Sequence, residues 1–426
     1  MWINIIAILV FVAGYLAIAL EHILRVNKAA AALITGVLCW TLFFLNSHNP
    51  DTASEQLISH LGEIASILFF LLGAMTIVEL IDVHHGFDLI TRKITTTSKR
   101  RLLLIVTVLT FFLSALLDNL TTAIVMTSLC IKLLPDRKDR LWFSGIIIIA
   151  ANSGGAWSPL GDVTTTMLWI GGQVTALQIM YKLFFPAIVV SLLPALLLSR
   201  RYKGKILAPA VLPKRSPIEQ RKGKQVLFSG VGFLLFVPMF KTITHLPPFM
   251  GMLLALGMMW IITTLMHKNR AEETLEKFSV NSALQKIDTP SILFFLGILL
   301  AVTALQSMGI LASLAAYLNT GLKNDYLIGI SLGLLSSVVD NVPLVAAAQG
   351  MYDLQAYPPD HNFWSFLALT TGTGGSAIII GSAAGVAVMG IERINFMWYL
   401  KKISWLALIG FAGGIFAFLL QLSLTA

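Results

Sequence analysis

An Asp-Asn pair occurs twice in this chain, each time near the middle of a long apolar run. The first lies in Ser114-Ala115-Leu116-Leu117-Asp118-Asn119 and the second in Ser336-Ser337-Val338-Val339-Asp340-Asn341, 222 positions later. A carboxylate held in hydrocarbon costs about 3 kcal/mol even on lenient scales, so such residues face partners, cavities or ion paths. Each pair is followed, about thirty residues on, by paired glycines that interrupt another apolar segment, Asn152-Ser153-Gly154-Gly155 in one case and Gly372-Thr373-Gly374-Gly375 in the other. These four pieces are expected to meet and form an ion site.

The setting is a membrane. With 57% hydrophobic and 12% charged residues and a mean hydropathy of +0.82, the chain has too little polar surface to cover a soluble domain, and an all-α polytopic membrane protein is expected. Cys39 and Cys130 both fall in apolar segments and suggest neither a disulfide framework nor a thiol metal site. No nucleotide loop, metal cluster or catalytic triad is found in the sequence, which points to a secondary transporter without cofactors rather than an enzyme. Residues 2–20 are expected to be a retained first helix rather than a signal peptide.

The net charge of +9 is distributed in a way that argues for membrane topology, not nucleic acid. Apolar segments fall near 3–20, 29–46, 59–81, 103–131, 141–180, 183–199, 225–240, 249–265, 290–308, 326–350, 363–390 and 403–421. If 103–131 and 326–350 are re-entrant hairpins and the other ten segments cross, 27 of the 30 Lys and Arg residues lie on one side, leaving Lys182, Lys241 and Lys323 on the other. Basic loops stay in the cytoplasm, so both termini are expected outside it. Two arms of about a dozen residues are also each too short for a core that needs about 20 helical residues.

The halves match beyond the Asp-Asn pairs. Ser66-Ile67-Leu68-Phe69-Phe70-Leu71 recurs as Ser291-Ile292-Leu293-Phe294-Phe295-Leu296, and Gly154, Gly155 and Gly161 map on Gly374, Gly375 and Gly381. Five crossings per half is an odd number, so a duplicated second half sits upside down, as in many transporters whose sites form where broken helices meet. The expected fold is thus two inverted-topology repeats, each with about five transmembrane helices, a re-entrant hairpin and a broken helix. Residues 1–199 form the first repeat (hairpin 103–131, broken helix 141–180), 200–224 a basic cytoplasmic linker, and 225–426 the second repeat (hairpin 326–350, broken helix 363–390). Residues 269–287 are expected to be a surface helix.

The broken segments carry the chemistry. The run Ala151 to Asp162 is expected to leave the helical path at its glycines and proline, exposing carbonyl oxygens where they line a cavity. Hydroxyls of Thr121, Thr122, Ser153 and Thr164, the Asn119 and Asn152 amides and the Asp118 carboxylate are hard oxygen donors suited to a small alkali cation. Sodium is expected at Asp118, Asn119, Thr121, Asn152 and Ser153, with Ser336, Asp340, Asn341, Thr373 and Ser376 as the second-half counterparts. Asp162 stands opposite Ser382, and either ligates the ion or orients the broken helix. Proton and cation would compete for the same buried carboxylates, which is an antiport mechanism in itself.

The runs Leu117-Asp118-Asn119-Leu120-Thr121-Thr122 and Asn152 to Thr166, the second pair Asp340-Asn341 and the early Glu21-His22 and Asn27-Lys28 resemble the NhaD-type sodium/proton antiporters. That resemblance implies exchange of cytoplasmic Na⁺, often Li⁺, for external H⁺ across a bacterial inner membrane. It also implies a homodimer, elevator-like motion, and site roles for Asp118, Asn119, Thr121, Asp162, Thr164, Ser336, Asp340 and Asn341.

His60, His84 and His85 near membrane boundaries are candidate pH sensors, and Glu63 and Glu79 candidates for a proton path. Glu21 and Lys28 are expected to fix the turn between the first two helices. The alternatives are a symporter of organic anions such as dicarboxylates, which would want cationic donors absent from the interrupted segments, and a metalloid efflux carrier of the same fold.

Overall fold

In the computed structural model the chain folds into helices joined by short turns, and residues 2–19, 21–47, 49–91, 96–202, 204–205, 216–268, 278–338 and 340–425 are described. The first part comprises α1 (Trp2–Ala19), α2 (Glu21–Leu24), α3 (Lys28–Asn46), α4 (Pro50–Val83), α5 (Asp88–Thr91), α6 (Lys99–Leu117), α7 (Asn119–Leu133), α8 (Arg137–Ala156), α9 (Val163–Ile170) and α10 (Ala176–Ser199). Then come α11 (Pro217–Thr244), α12 (Pro248–His267), α13 (Val280–Lys286), α14 (Thr289–Ser307), α15 (Ile310–Leu322), α16 (Asp325–Leu335) and α17 (Asn341–Met351). The chain closes with α18 (Asn362–Gly374), a short 3-10 turn (Ile379–Gly381), α19 (Ala383–Glu392), α20 (Phe396–Lys402) and α21 (Ser404–Thr425). Among the described residues, 8 helices are long and apolar enough to cross a membrane. They make this a polytopic helical membrane protein.

Both Asp-Asn pairs sit between helices, as expected. Asp118 separates α6 from α7, and Asp340 caps α17. The second pair of arms has 11 residues each, but α6 has 19 and α7 has 15, longer than the dozen expected. Two boundaries differ from the expectation. The segment taken as 141–180 divides at 171–175, where Gly171 ends α9 and Thr175 precedes α10. The helix also does not stop at Asn152: α8 runs through Ser153, Gly154 and Gly155 to Ala156 and breaks only at Trp157.

The glycines are there for close approach. A Cβ on Gly154 would run into the Phe111 carbonyl oxygen of α6, and one on Gly155 into that of Gly161. In the other half a Cβ on Gly374 would meet the Gly333 carbonyl oxygen of α16, and one on Gly375 would lie 2.6 Å from the Gly381 oxygen. Small residues let membrane helices approach to backbone contact, and here they seat α6 on α8 and α16 on α18.

The packing is reciprocal. α6 lies on α8 as α16 lies on α18, while α7 crosses to α19 and α17 crosses to α9. Ser114 Oγ donates to the Ala151 carbonyl at 2.5 Å, and Ser336 Oγ donates to that of Thr371 at 2.7 Å. α3 and α14 form the most extensive helix pair outside this unit, with a Cβ on Gly36 2.6 Å from the Gly297 carbonyl oxygen.

Two groups of charged contacts tie distant segments together. In one, Lys99 pairs with Asp139 at 2.5 Å, Arg140 with Glu392 at 3.0 Å, and Arg137 donates to the Arg393 carbonyl at 3.2 Å. In the other, Lys182 Nζ donates to the Asp360 carbonyl at 2.5 Å, and Thr175 Oγ1 donates to the Asp360 carboxylate at 3.0 Å. Of the linker, residues 206–215 lie outside the described residues, as do 269–277 of the expected surface helix; Val280–Lys286 is helical.

Candidate ion-binding site

Four helices begin at one place. Asp118 caps α7, Asp340 caps α17, Asp162 caps α9 and Ser382 caps α19, each accepting a backbone N–H from its helix's first turn. Asp162 and Ser382 share one geometry, with φ/ψ of −146/141 and −144/150. An acidic or hydroxyl cap satisfies orphan N–H groups and complements the positive end of the helix dipole.

Asn119 and Asn341, the first residues of α7 and α17, both reach across the site. Asn119 Nδ2 donates to Asp162 Oδ2 at 3.1 Å and to Asn152 Oδ1 at 3.2 Å, and Asn341 Nδ2 donates to the same Asp162 oxygen at 3.4 Å. Asn152 Nδ2 in turn donates to Ser376 Oγ and Ser382 Oγ, both at 2.9 Å. Asp162 Oδ1 accepts from the Thr164 N–H at 3.1 Å. Asp162, Asn119, Asn152, Asn341, Ser376 and Ser382 are all buried. A carboxyl group so deeply placed is tolerable because each of its oxygens accepts hydrogen bonds.

Several expected ligands sit differently. Asp118 stays half-buried and turns to Thr121, whose N–H and Oγ1 each donate to it at 2.8 Å. Its backbone has φ 91 and ψ 155, a region that residues with a Cβ seldom adopt. Thr122 Oγ1 is buried without a hydrogen-bond partner. Ser153 and Thr373 do not face the cluster, because their hydroxyls donate to the Ala150 and Leu369 carbonyls of their own helices, at 3.2 and 2.6 Å. Ser336 Oγ donates to the Thr371 carbonyl, so it ties the end of α16 to α18. Ser382 was noted in the sequence only as the partner position of Asp162, yet it belongs to the cluster. Its signal was the equivalence itself: a hydroxyl N-cap standing where the other copy has an acidic one.

The pH candidates lie away from this cluster. His84 caps α4, with Nδ1–H donating to the Leu80 carbonyl at 2.8 Å, and burial lowers its pKa to about 4. His60 Nε2 lies 3.3 Å from Ser307 Oγ, and Nδ1 is 3.5 Å from Glu63, whose side chain is 72% exposed. Glu79 lies 3.8 Å from Lys286. His85 sits at positive φ, 58°, in the turn after α4. Glu21 Oε1 accepts the Lys28 N–H at 3.2 Å and so does fix the first turn, but the Lys28 ammonium lies 3.9 Å from Asp340. Sequence reasoning missed that approach, because Lys28 lies outside every interrupted segment.

The citrate transporter family pattern matches residues 2–372 of the chain. The Na(+)/H(+) antiporter NhaD of Alkalimonas amylolytica is 31% identical over 460 residues, covering 100% of this chain and 91% of the relative. This chain belongs to the NhaD-type antiporter family. The NhaD protein of Vibrio cholerae is 30% identical over 429 residues, with 93% of this chain and 87% of that one covered. A plant protein, sodium/proton antiporter 1 of Arabidopsis thaliana, is 46% identical over 413 residues, or 96% of this chain and 71% of its own. As a member of this antiporter family the chain is a secondary transporter, not an enzyme.

Proposed function

We propose that this protein exchanges cytoplasmic Na⁺, and Li⁺, for external H⁺ by letting cation and proton compete for buried carboxylates. The carrying observation is the convergence of Asn119 and Asn341 on Asp162. Each amide bears an oxygen as well as its N–H groups, so a turn about its last side-chain torsion converts a donor to the carboxylate into a ligand for a cation. The NhaD relatives are Na⁺/H⁺ antiporters by name, which supports these two ions. Asp118 with Thr121 and Thr122 supplies the adjoining oxygen donors.

The same reading takes the two halves as inverted repeats, the Asp-Asn turns as re-entrant tips and the four-helix junction as a moving unit. It sets the protein as a homodimer in a bacterial inner membrane with both termini outside. Reciprocal packing supports it.

A second reading has its own support. Four helix N-termini and three amide donors at one place suit an anion, and the citrate transporter family pattern points the same way. One assay separates them. Everted vesicles with an established proton gradient receive Na⁺, Li⁺, K⁺, citrate or a dicarboxylate, and collapse by Na⁺ or Li⁺ alone selects the antiporter. Collapse by the organic anions, with none by Na⁺, selects the anion carrier.

A further inference from the structure

We infer that Lys28 is a tethered cation for Asp340, taking from within the chain the place that a transported ion would occupy beside the second Asp-Asn pair. On the antiport reading, which this rests on, only the first pair then loads Na⁺.

Lys28 Nζ lies 3.9 Å from Asp340 Oδ2, with side chains 22% and 16% exposed. The lysine is the first residue of α3, where a positive charge opposes the helix dipole. Helix capping therefore gives no reason for it, since Asn27 already caps Ala29 and Glu21 already holds the Lys28 N–H. What favours the ammonium is its seat: it lies 4.5 Å above the ring centroid of Phe294 on α14. α14 is fixed to α3 by the backbone approach of Gly36 and Gly297, so this seat is rigid. Between them Tyr15, Glu21, Lys28, Asp340 and Ser382 line a cavity of about 40 Å³, room for only a few water-sized particles.

The two copies differ in a complementary way. The Thr121 hydroxyl donates to Asp118 and Thr122 follows it in the same helix; the equivalent positions after Asp340 are Pro343 and Leu344, which offer no side-chain oxygen. Among the described residues no Lys or Arg pairs with Asp118. Asp118 has a hydroxyl from its own helix and no internal cation, whereas Asp340 has an internal cation and no hydroxyl at the matching helix positions. A 3.9 Å separation with solvent access leaves Asp340 free to exchange its partner for a proton.

The test is the Na⁺ dependence of exchange by the purified protein in proteoliposomes, with the H⁺:Na⁺ ratio read from the null point against imposed gradients. Wild type should show a Hill coefficient of about 1, and Lys28→Gln, which vacates the seat, about 2, with a lower H⁺:Na⁺ ratio. Lys28→Arg should behave as wild type, and Asp340→Asn added to Lys28→Gln should return the coefficient to about 1. Treating Lys28→Cys with a reagent that attaches an aminoethylthio group should restore one-ion behaviour on protein already folded. A wild-type coefficient of about 2, or an unchanged coefficient and ratio in Lys28→Gln, overturns the assignment. Should wild type respond to no alkali cation, the antiport reading falls first and this falls with it.

Discussion

Asn119 and Asn341, 222 positions apart in sequence, donate to one and the same oxygen, Oδ2 of Asp162. Two copies of a motif thus serve a single carboxylate that has no acidic counterpart, since the matching position is Ser382. Around this carboxylate the packing of the matching helices is reciprocal, and the polar cluster is not: Asp162 faces Ser382 across it.

Replacing Asp162 by Ser would make the copies alike at this point. Both Asp162→Ser and Asp162→Asn should still insert and be purified, yet lose exchange by at least about 100-fold. The basis is that hydrogen bonds to a charged group are worth about 1.5–3 kcal/mol each: Ser withdraws the carboxylate from both amides, and Asn keeps an acceptor oxygen but neither the charge nor a titratable proton. Proton-gradient collapse by Na⁺ in everted vesicles is the measurement, and wild-type rates in Asp162→Asn would remove it from the mechanism.

Asp118 carries backbone strain that Asp340 does not. Its φ of 91 and ψ of 155 contrast with −50 and 138 at Asp340. Strain of this kind is worth about 1–3 kcal/mol and a lost N-cap about 1 kcal/mol. Asp118→Gly should therefore keep or raise the melting temperature in detergent while abolishing transport, whereas Asp340→Gly should lower it. A clear drop in both would mean that Asp118 is not strained.

Thr121 donates to Asp118 through both its N–H and its hydroxyl. Thr121→Ala should raise the Na⁺ concentration for half-maximal exchange about 5- to 150-fold, the equivalent of roughly 1–3 kcal/mol. Thr121→Ser should restore most of it, and Pro343→Ala should shift it only a few-fold. A larger effect at Pro343 than at Thr121 would place the principal cation site at the second pair.

The glycine seams predict stability rather than transport. Gly374→Ala would drive a methyl into the Gly333 backbone, and Gly154→Ala would drive one into the Phe111 oxygen, whereas Gly62 has nothing within 4 Å. The first two should lower the melting temperature, by an amount reflecting about 1–3 kcal/mol of overpacking. Gly62→Ala should raise it slightly, because alanine is the better helix former by about 1 kcal/mol.

His84 gives a pH prediction. Burial lowers its pKa to about 4, below the ordinary value of about 6.5, so the unfolded chain binds the proton more readily. Stability is present above the ordinary value and is lost as pH falls from there toward the folded value. His267, His85 and Lys222, nearby, add to the cost of charging it. His84→Gln should flatten that acid loss in a melting series and leave the transport pH profile above pH 6.5 in place. A profile that moves with this substitution would make His84 a sensor.

Much of this was legible in the sequence, for physical reasons. Asp118, Asn119, Asp340 and Asn341 stand out because polar groups in apolar runs are costly, and the helices do part at both aspartates. The interruption expected over Ala151 to Asp162 begins only at Trp157, because glycine weighs in sequence as a helix breaker. In a membrane it serves as well for close approach, and Gly154 and Gly155 stay helical against Phe111 and Gly161. Lys28 and Ser382 were missed as site residues because their importance comes from a neighbour far away in the chain. No spacing rule announces that.

Asn152 finds the acceptors for its amide in Ser376 and Ser382, 224 and 230 residues further on. While the ribosome is still making the second half, the first half holds a buried Asn152 N–H group whose acceptors do not yet exist and an acidic helix cap that lacks one of its two amide donors. Residues 1–199 therefore cannot close their own centre, and the junction is completed only when nearly the whole polypeptide has entered the bilayer. Truncated products would expose an unmatched polar core to lipid, a mark by which a membrane protease can tell them from finished protein.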